Sequence, residues 1–495
     1  MFHKPQNILL VDRGRPGPAY LSSMLALHFC HDPNSKIIVL TDSIKNNEII
    51  KIYKKYNFKH FIVCFNYSVS FFFKNLILFI KSFYLLLKNL IVIKKKGFEW
   101  FKINFQIKGI GIGDLFHDTN NRYNLRFIDK RIDFYLINIL FKSIFRTLKI
   151  LETIKEKNIK LIVSHHSGYA YNGSLSVRIG VKLGIKVIES RASNYILWEK
   201  KKISNGYHNL ICCGMTKRKF NIYSKNLNNK KLIFFLKKRY KSKTFSNYTG
   251  KENLLFGNYF KTKMSREKIF NYFKIGKKNI NKIVLIAPHA FSDASHVLGT
   301  KFIFQDYYDH LSETLQFIKK KNIQNVLWII RPHPSSKRYG EIGIVENLVK
   351  NINCKFIKLC PKNISTENLV NICDNVITGR GTVGLEFACS GKYSLNSGSS
   401  AYSGLGISLD FSNKQKYFSA LKKINEVPKL SKKKIFLARL VLHYLEVDST
   451  LWKNDVIYNN AAKIFSKKNF LFKHSKLYKE INKKLKKKLI LDNLI

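Results

Sequence analysis

The feature that most limits what this chain can become is an alternation of short apolar runs with helical stretches, present once in each half. In the first half, Asn7–Val11, Lys36–Leu40, His60–Phe65, Leu161–Ser164 and Lys186–Glu189 are apolar or β-branched runs of strand length. In the second, Ile283–Ala287, Val326–Ile330, Lys355–Leu359, Asn375–Thr378 and Tyr393–Asn396 repeat the pattern. Strands separated by helices predict α/β architecture with parallel sheets, here two Rossmann-like lobes. A Lys/Asn/Ser-rich stretch with weaker periodicity, from about Lys217 to Asn281, separates the two alternations. At 495 residues the chain exceeds one small core. We therefore expect a first lobe over residues 1–215, a connecting segment over 216–280, a second lobe over 281–430, and helices with a basic tail over 431–495.

In the second lobe, Ile377–Gly391 (ITGRGTVGLEFACSG) predicts a buried strand, a tight turn and the start of a helix. Free backbone N–H groups and the positive end of a helix dipole then point at one place, where a phosphate can sit. Gly381 lets the backbone approach a ligand, Thr382 supplies a hydroxyl, and Glu386, one turn in, has the reach for ribose hydroxyls. The competing reading is a plain turn with Thr382 as N-cap. Upstream, the strand Val326–Ile330 runs into Arg331-Pro332-His333-Pro334. Pro334 stiffens this loop, His333 can donate to a phosphate oxygen, and Arg331 either adds charge or pairs with a carboxylate. A third loop, Pro288–His296, offers His289, Ser292 and Asp293. Its histidine spacing matches no common zinc pattern, so no metal is expected. In open parallel sheets ligands bind at the carboxyl ends of strands, so three polar loops after strands of one lobe define a candidate anion site.

The first lobe has its own candidates. Gly109–Arg122 (GIGIGDLFHDTNNR) places Asp114 and Asp118 four residues apart, on one face if helical, with Arg122 close by. Either carboxylate can serve as a base toward a hydroxyl, or simply cap a helix. The segment His165–Gly173, with His166 and Tyr169, follows a strand and precedes a helix. The loop Asp12–Gly17, with Arg13, lacks the GxGxxG dinucleotide fingerprint and reads as an acceptor-contacting loop.

The net charge of +57 suggests a polyanionic partner. Yet Lys outnumbers Arg by roughly five to one and is spread end to end, a compositional bias rather than the clustered Arg and aromatic surface of a nucleic-acid reader. No nucleic-acid partner is expected. Eight cysteines without a CxxC pair read as free thiols in a reducing compartment, and no signal peptide is evident, so a cytoplasmic location is expected. In Phe71–Lys96, Lys74, Lys81, Lys88 and Lys95 recur every seven residues, each followed by Asn75, Ser82, Asn89 or Lys96. Four lysines argue against an ordinary membrane crossing. The favoured expectation is a helix mostly buried in the domain with its polar stripe in solvent; the rival is a helix in the membrane interface. The Lys-rich run Lys476–Lys488 allows the same two readings, so an anionic inner-membrane surface is a candidate partner.

Taken together, RPHPS at Arg331–Ser335, TGRGTVGLEFACSGK at Thr378–Lys392, SGSSAYSGLGIS at Ser397–Ser408 and HAFSDASH at His289–His296 resemble the bacterial capsule and surface polysaccharide biosynthesis glycosyltransferases, which include Kdo transferases. The Gly-Asp segment around Asp114 is similar to one in the same broad group. The resemblance implies a GT-B-like fold, two Rossmann-like lobes with parallel sheets facing a central cleft and a helical C-terminal tail. It implies a nucleotide-sugar donor, a CMP-sugar favoured, held by the second lobe through the His333 and Thr382 loops, with Ser399 in the following loop. It further implies a polysaccharide or lipid-linked glycan acceptor on the first lobe, Asp114 as the catalytic carboxylate, and no cofactor. A nucleotide-sugar epimerase, a CDP-polyol phosphotransferase and a non-catalytic basic module are the alternatives. Arg331 stands where Lys is common before the His-Pro pair, and Phe116-His117 departs from the usual aliphatic-Tyr pair.

Overall fold

Both sets of apolar runs form parallel sheets. The computed structural model describes residues 7–30, 34–42, 47–124, 132–165, 168–170, 173–191, 195–198, 224–225, 227–241, 265–276, 280–296, 302–323, 325–361, 364–448, 479–480 and 483–485. By contacts the chain divides into an N-terminal unit, Met1–Asn205 with His296–Leu298 and Ser449–Ile495, and a C-terminal unit, Gly206–Ser295 with Gly299–Asp448.

The N-terminal unit contains β1 (Asn7–Val11), β2 (Ile37–Thr41), β3 (His60–Val63), β4 (Gln106–Ile107), β5 (Ile110–Gly111), β6 (Ile159–His165), β7 (Lys186–Ser190) and β8 (Tyr195–Trp198). Six of these make one sheet in the order β3-β2-β1-β6-β7-β8, while β4 and β5 form a separate hairpin. All pairs in the large sheet are parallel except β8, which lies antiparallel on β7. Its helices are α1 (Pro16–Phe29), α2 (Asn47–Lys55), α3 (Val69–Lys74), α4 (Leu76–Asn104), α5 (Gly113–Asn124), α6 (Phe134–Glu156) and α7 (Ser174–Lys182). Local chemistry sets several starts. Pro16 opens α1, where a missing N–H costs nothing. Asp133 caps α6 by accepting from the Leu136 N–H at 2.9 Å. Leu10, Val39, Val163 and Ile188 of the sheet pack with Leu21 and Leu25 of α1 and Tyr53 of α2 in one core.

The C-terminal unit has β9 (Lys282–Ala287), β10 (Val326–Ile330), β11 (Ile357–Leu359), β12 (Asn375–Thr378), β13 (Ser394–Asn396) and β14 (Leu409–Asp410), in the order β11-β10-β9-β12-β13-β14 with every pair parallel. Its helices are α8 (Asn229–Lys241), α9 (Arg266–Phe273), α10 (Tyr307–Lys320), α11 (Ile344–Ile352), α12 (Thr366–Ile372), α13 (Thr382–Cys389), α14 (Lys414–Lys422) and α15 (Lys432–His443). The chain lays down β9, β10 and β11 outward, then returns to place β12 on the other edge of β9. The strand order reverses there, which makes the β9/β12 edge the switch point at which open α/β sheets place their ligands.

Three expectations need correction. The segment 216–280 is not merely a connection: α8 and α9 fall within it, and Leu236, Ile269 and Phe270 are buried in cores of the C-terminal unit. The stretch 431–495 is not one body, because α15 packs into that unit through Ala438 and Val441 whereas Leu485 is buried in the core of the N-terminal unit. Most of Lys476–Lys488 lies outside the described residues.

The third correction concerns residues 71–96. They are helical, but the helix is not mostly buried: only 22% of its most apolar 18-residue window is inside the unit. By length and composition α4 would suffice to cross a membrane. Asn75 and Ser82, expected in the solvent stripe, lie on the inward face. There Ser82 donates to the Leu78 carbonyl at 2.7 Å within α4, while Asn75, between α3 and α4, donates to the Phe71 carbonyl and accepts from Lys149 of α6, both at 2.9 Å. What faces outward is apolar, and Ile77, at 67% exposure, typifies it.

Candidate nucleotide-phosphate site

The loops that leave β9, β10 and β12 meet beside the switch point of the C-terminal sheet. The imidazoles of His289 and His333 stand nearly parallel with ring centres 6.0 Å apart. Tyr307, from the start of α10, stacks on His289 from 4.5 Å. On the β12 side, a Cβ added to Gly381 would lie 3.7 Å from His289 Nε2, and one on Gly379 only 2.8 Å from the Tyr307 ring. The missing Cβ at Gly379 is what lets this backbone come so close to the Tyr307 ring.

Two features make the place suited to an anion. Gly381 is the N-cap of α13, and no side chain caps the helix. The Thr382 N-cap reading therefore fails: Thr382 is the first helical residue and exposed, leaving the helix N-terminus to attract negative charge. The second feature is His289 Nε2, which is shielded from water and has no hydrogen-bond partner. A buried polar atom left unmatched is costly unless a ligand completes it. His333 is also oriented. Its Nδ1 accepts the Ser335 N–H at 3.2 Å, so the neutral ring carries its proton on Nε2 as a donor.

The rest of the predicted donor set divides. Ser292 and Asp293 belong to the β9 loop, which Glu341 anchors by accepting the Phe291 N–H at 3.0 Å and the Ser292 N–H at 2.8 Å. Asp293 turns its Oδ1 back onto the Ala294 N–H. Pro334 is exposed beside His333, and Ser399 is half-buried in the loop after β13. That loop is braced against the site, since Tyr402 donates to the Gly381 carbonyl at 2.7 Å. Arg331 instead donates to Thr366 Oγ1 at 2.9 Å, and burial lowers its pKa. Glu386 is taken up by Arg239, 2.7 Å away, which also pairs with Glu446. The protein thus balances the Glu386 charge internally, a pairing that sequence spacing does not reveal. Tyr307 and Arg380 were missed. Arg380 donates to the Ala294 carbonyl and lies over the Tyr307 ring at 5.6 Å, tying the β12 turn to the β9 loop.

In the N-terminal unit, Asp114 is clamped by Arg178 through two bonds of 2.6 and 2.7 Å, and the same guanidinium donates to the Gly111 carbonyl. A carboxylate with both oxygens engaged by a guanidinium ties α5 to α7, a structural task not expected of the assigned catalytic base. Asp118, one turn on, is fully buried. It accepts from His117 Nδ1 at 3.2 Å, from His296 Nδ1 at 2.9 Å and from the His296 backbone N–H at 2.7 Å. Burial pushes the Asp118 pKa up, but the two imidazoles outweigh it and hold the carboxyl well below its usual range. These three residues are the described set whose potential metal-ligating atoms cluster, within 4.8 Å of one another. As arranged, both Nδ1 atoms are spent on the carboxylate, so a cation would have to displace hydrogen bonds already made. Arg122 lies over the ring of buried Tyr169 at 5.6 Å, and Arg13 is half-buried at the end of β1. His166 lies outside the described residues.

The buried histidines set a pH dependence. Burial lowers His117 to about 4, and His289 and His310 to about 3; it lowers His333 as well. Each is neutral in the folded chain and takes up a proton near pH ~6.5 when unfolded. The unfolded state therefore binds more protons below that pH, and stability present above ~6.5 drains away toward pH ~4. We expect the melting temperature to fall steadily over that window and the slope to flatten in His310→Phe. A level profile would contradict the assigned burial.

No protein-family model and no curated protein matches the sequence. Among solved structures, it is similar to a glycosyltransferase from Rickettsia africae ESF-5, at 12% identity over 96% of this chain and 100% of that one, TM-score 0.27. It is also similar to a UDP-GlcNAc 2-epimerase from Methanocaldococcus jannaschii solved with UDP-GlcNAc and UDP, at 11% identity over 88% and 99%, TM-score 0.26. A third is the β-Kdo 2,7-transferase KpsC of Thermosulfurimonas dismutans, at 14% identity over 63% and 88%, TM-score 0.28. Scores this low carry no argument about chemistry.

Proposed function

We propose that this chain is a glycosyltransferase that takes a sugar from a nucleotide-activated donor, a CMP-sugar favoured, and passes it to a surface polysaccharide or its lipid-linked precursor on the cytoplasmic side. The observation that supports this reading is the meeting of His289, His333 and the uncapped start of α13 at the switch point of the second sheet. Sugar transfer leaves negative charge on the departing phosphate as the glycosidic bond breaks. Donors already aimed at that position stabilise it without having to reorganise. The reading assigns that charge to protein groups rather than to a metal ion.

The acceptor hydroxyl must lose a proton. Within the N-terminal unit the candidate we propose is His296 rather than Asp114, because its imidazole is oriented at Nδ1 by the Asp118 carboxylate 2.9 Å away. The test is thermal shift against CMP, CDP, UDP and GDP, followed by incubation with the matching nucleotide sugar. A nucleotide at a hundred times its Kd should stabilise the folded protein by about 2.7 kcal/mol. If none of the four shifts the melting temperature, the nucleotide reading is wrong. If the free donor is interconverted without acceptor, the chain is an epimerase instead.

A further inference from the structure

We infer that the outward face of α4 is a docking surface for an anionic lipid bilayer, on which the helix lies flat. This is independent of the nucleotide reading and rests on how α4 is turned in its unit. Asn75, Leu78, Ser82, Leu86 and Ile93 are buried, and with 3.6 residues per turn they fall on one side of the helix. The opposite side carries Ile77, Ile80, Tyr84, Leu87 and Ile91, all exposed. A contiguous apolar ridge of this size on a folded unit marks a contact surface.

Charge decides what the contact is. Lys81 and Lys88 are exposed, and the seven-residue interval lines them up along one edge of the ridge, with Lys74 exposed at the end of α3 just before it. Lys94, Lys95 and Lys96 add an exposed cluster just before the backbone break at Gly97, with Trp100 exposed past it. Apolar and aromatic side chains on one face, bordered by lysines whose stems can lie along it, match a headgroup and acyl-chain boundary. Anionic headgroups would neutralise that edge. A second copy of the chain would instead bring two lysine edges together on molecules of net charge +57. A crossing helix is disfavoured because the inward face is already packed in the unit and Lys81 and Lys88 sit in mid-span.

The test is co-sedimentation of the full chain with phosphatidylcholine vesicles with and without phosphatidylglycerol, at low and high salt. The chain should bind the anionic vesicles and release in high salt. The triple variant Ile77→Asn, Ile80→Asn, Ile91→Asn should bind about tenfold more weakly, and so should Lys74→Glu, Lys81→Glu, Lys88→Glu. Both sets alter exposed side chains, so melting temperatures should match the parent and separate lost binding from lost folding. Equal binding to neutral vesicles, or anionic binding that survives both triple variants, would overturn the proposal. So would sedimentation velocity showing a dimer that the isoleucine variant dissociates.

Discussion

Replacing Asp118 with Ala is expected to cost the N-terminal unit about 3–5 kcal/mol, among the largest effects of any single change in the chain. The buried carboxylate accepts from two imidazoles and one backbone N–H. Truncating it leaves three donors without their shared acceptor, in a place water does not reach. Asp118→Asn should fall between the parent and Ala, because a carbonyl oxygen remains while the charge and one acceptor are lost. Urea unfolding followed by far-UV circular dichroism measures it as a fall in the midpoint. An unchanged midpoint would mean that Asp118 is not the hub described.

The second large effect falls on the ligand rather than on the fold. Replacing His333 with Ala should weaken binding of the nucleotide about tenfold to a hundredfold, the loss of one hydrogen bond to a charged group. Melting temperature without ligand should change little, because the ring is half-buried and its Nδ1 accepts only from the neighbouring Ser335 N–H. His296→Asn should do the reverse, abolishing transfer while sparing nucleotide affinity. Titration calorimetry with CMP on both variants, paired with a transfer assay, separates the roles. Swapped outcomes would refute the assignment of anion site and base.

Much of this was legible in the residues. The ten apolar runs are strands in the structure, to within a residue or two at most ends, because a buried parallel strand must be apolar along its whole length. The three loops of the candidate site were legible for a related reason: each follows such a strand directly, so the sheet aligns their starts. β8 and β14 escaped notice, being short edge strands that resemble ordinary loop sequence. Tyr307 opens a helix well downstream of the loop it supports, and no spacing rule connects it to His289. The partners of charged groups were equally hidden. Asp114 with Arg178, and Glu386 with Arg239, are separated by 64 and 147 residues.

The order of apolar and polar residues, by itself, determined that there would be two parallel α/β sheets and which loops would stand at strand ends, since periodicity and strand burial are local properties of the chain. Only the tertiary structure decided which charges are consumed internally and which way α4 faces. A lysine repeat specifies a stripe but not whether Asn75 and Ser82 turn inward beside it. That choice belongs to the packing of α4 against its own unit, where Ser82 finds a carbonyl in its own helix, Asn75 bonds Phe71 and Lys149, and the apolar ridge is left outside.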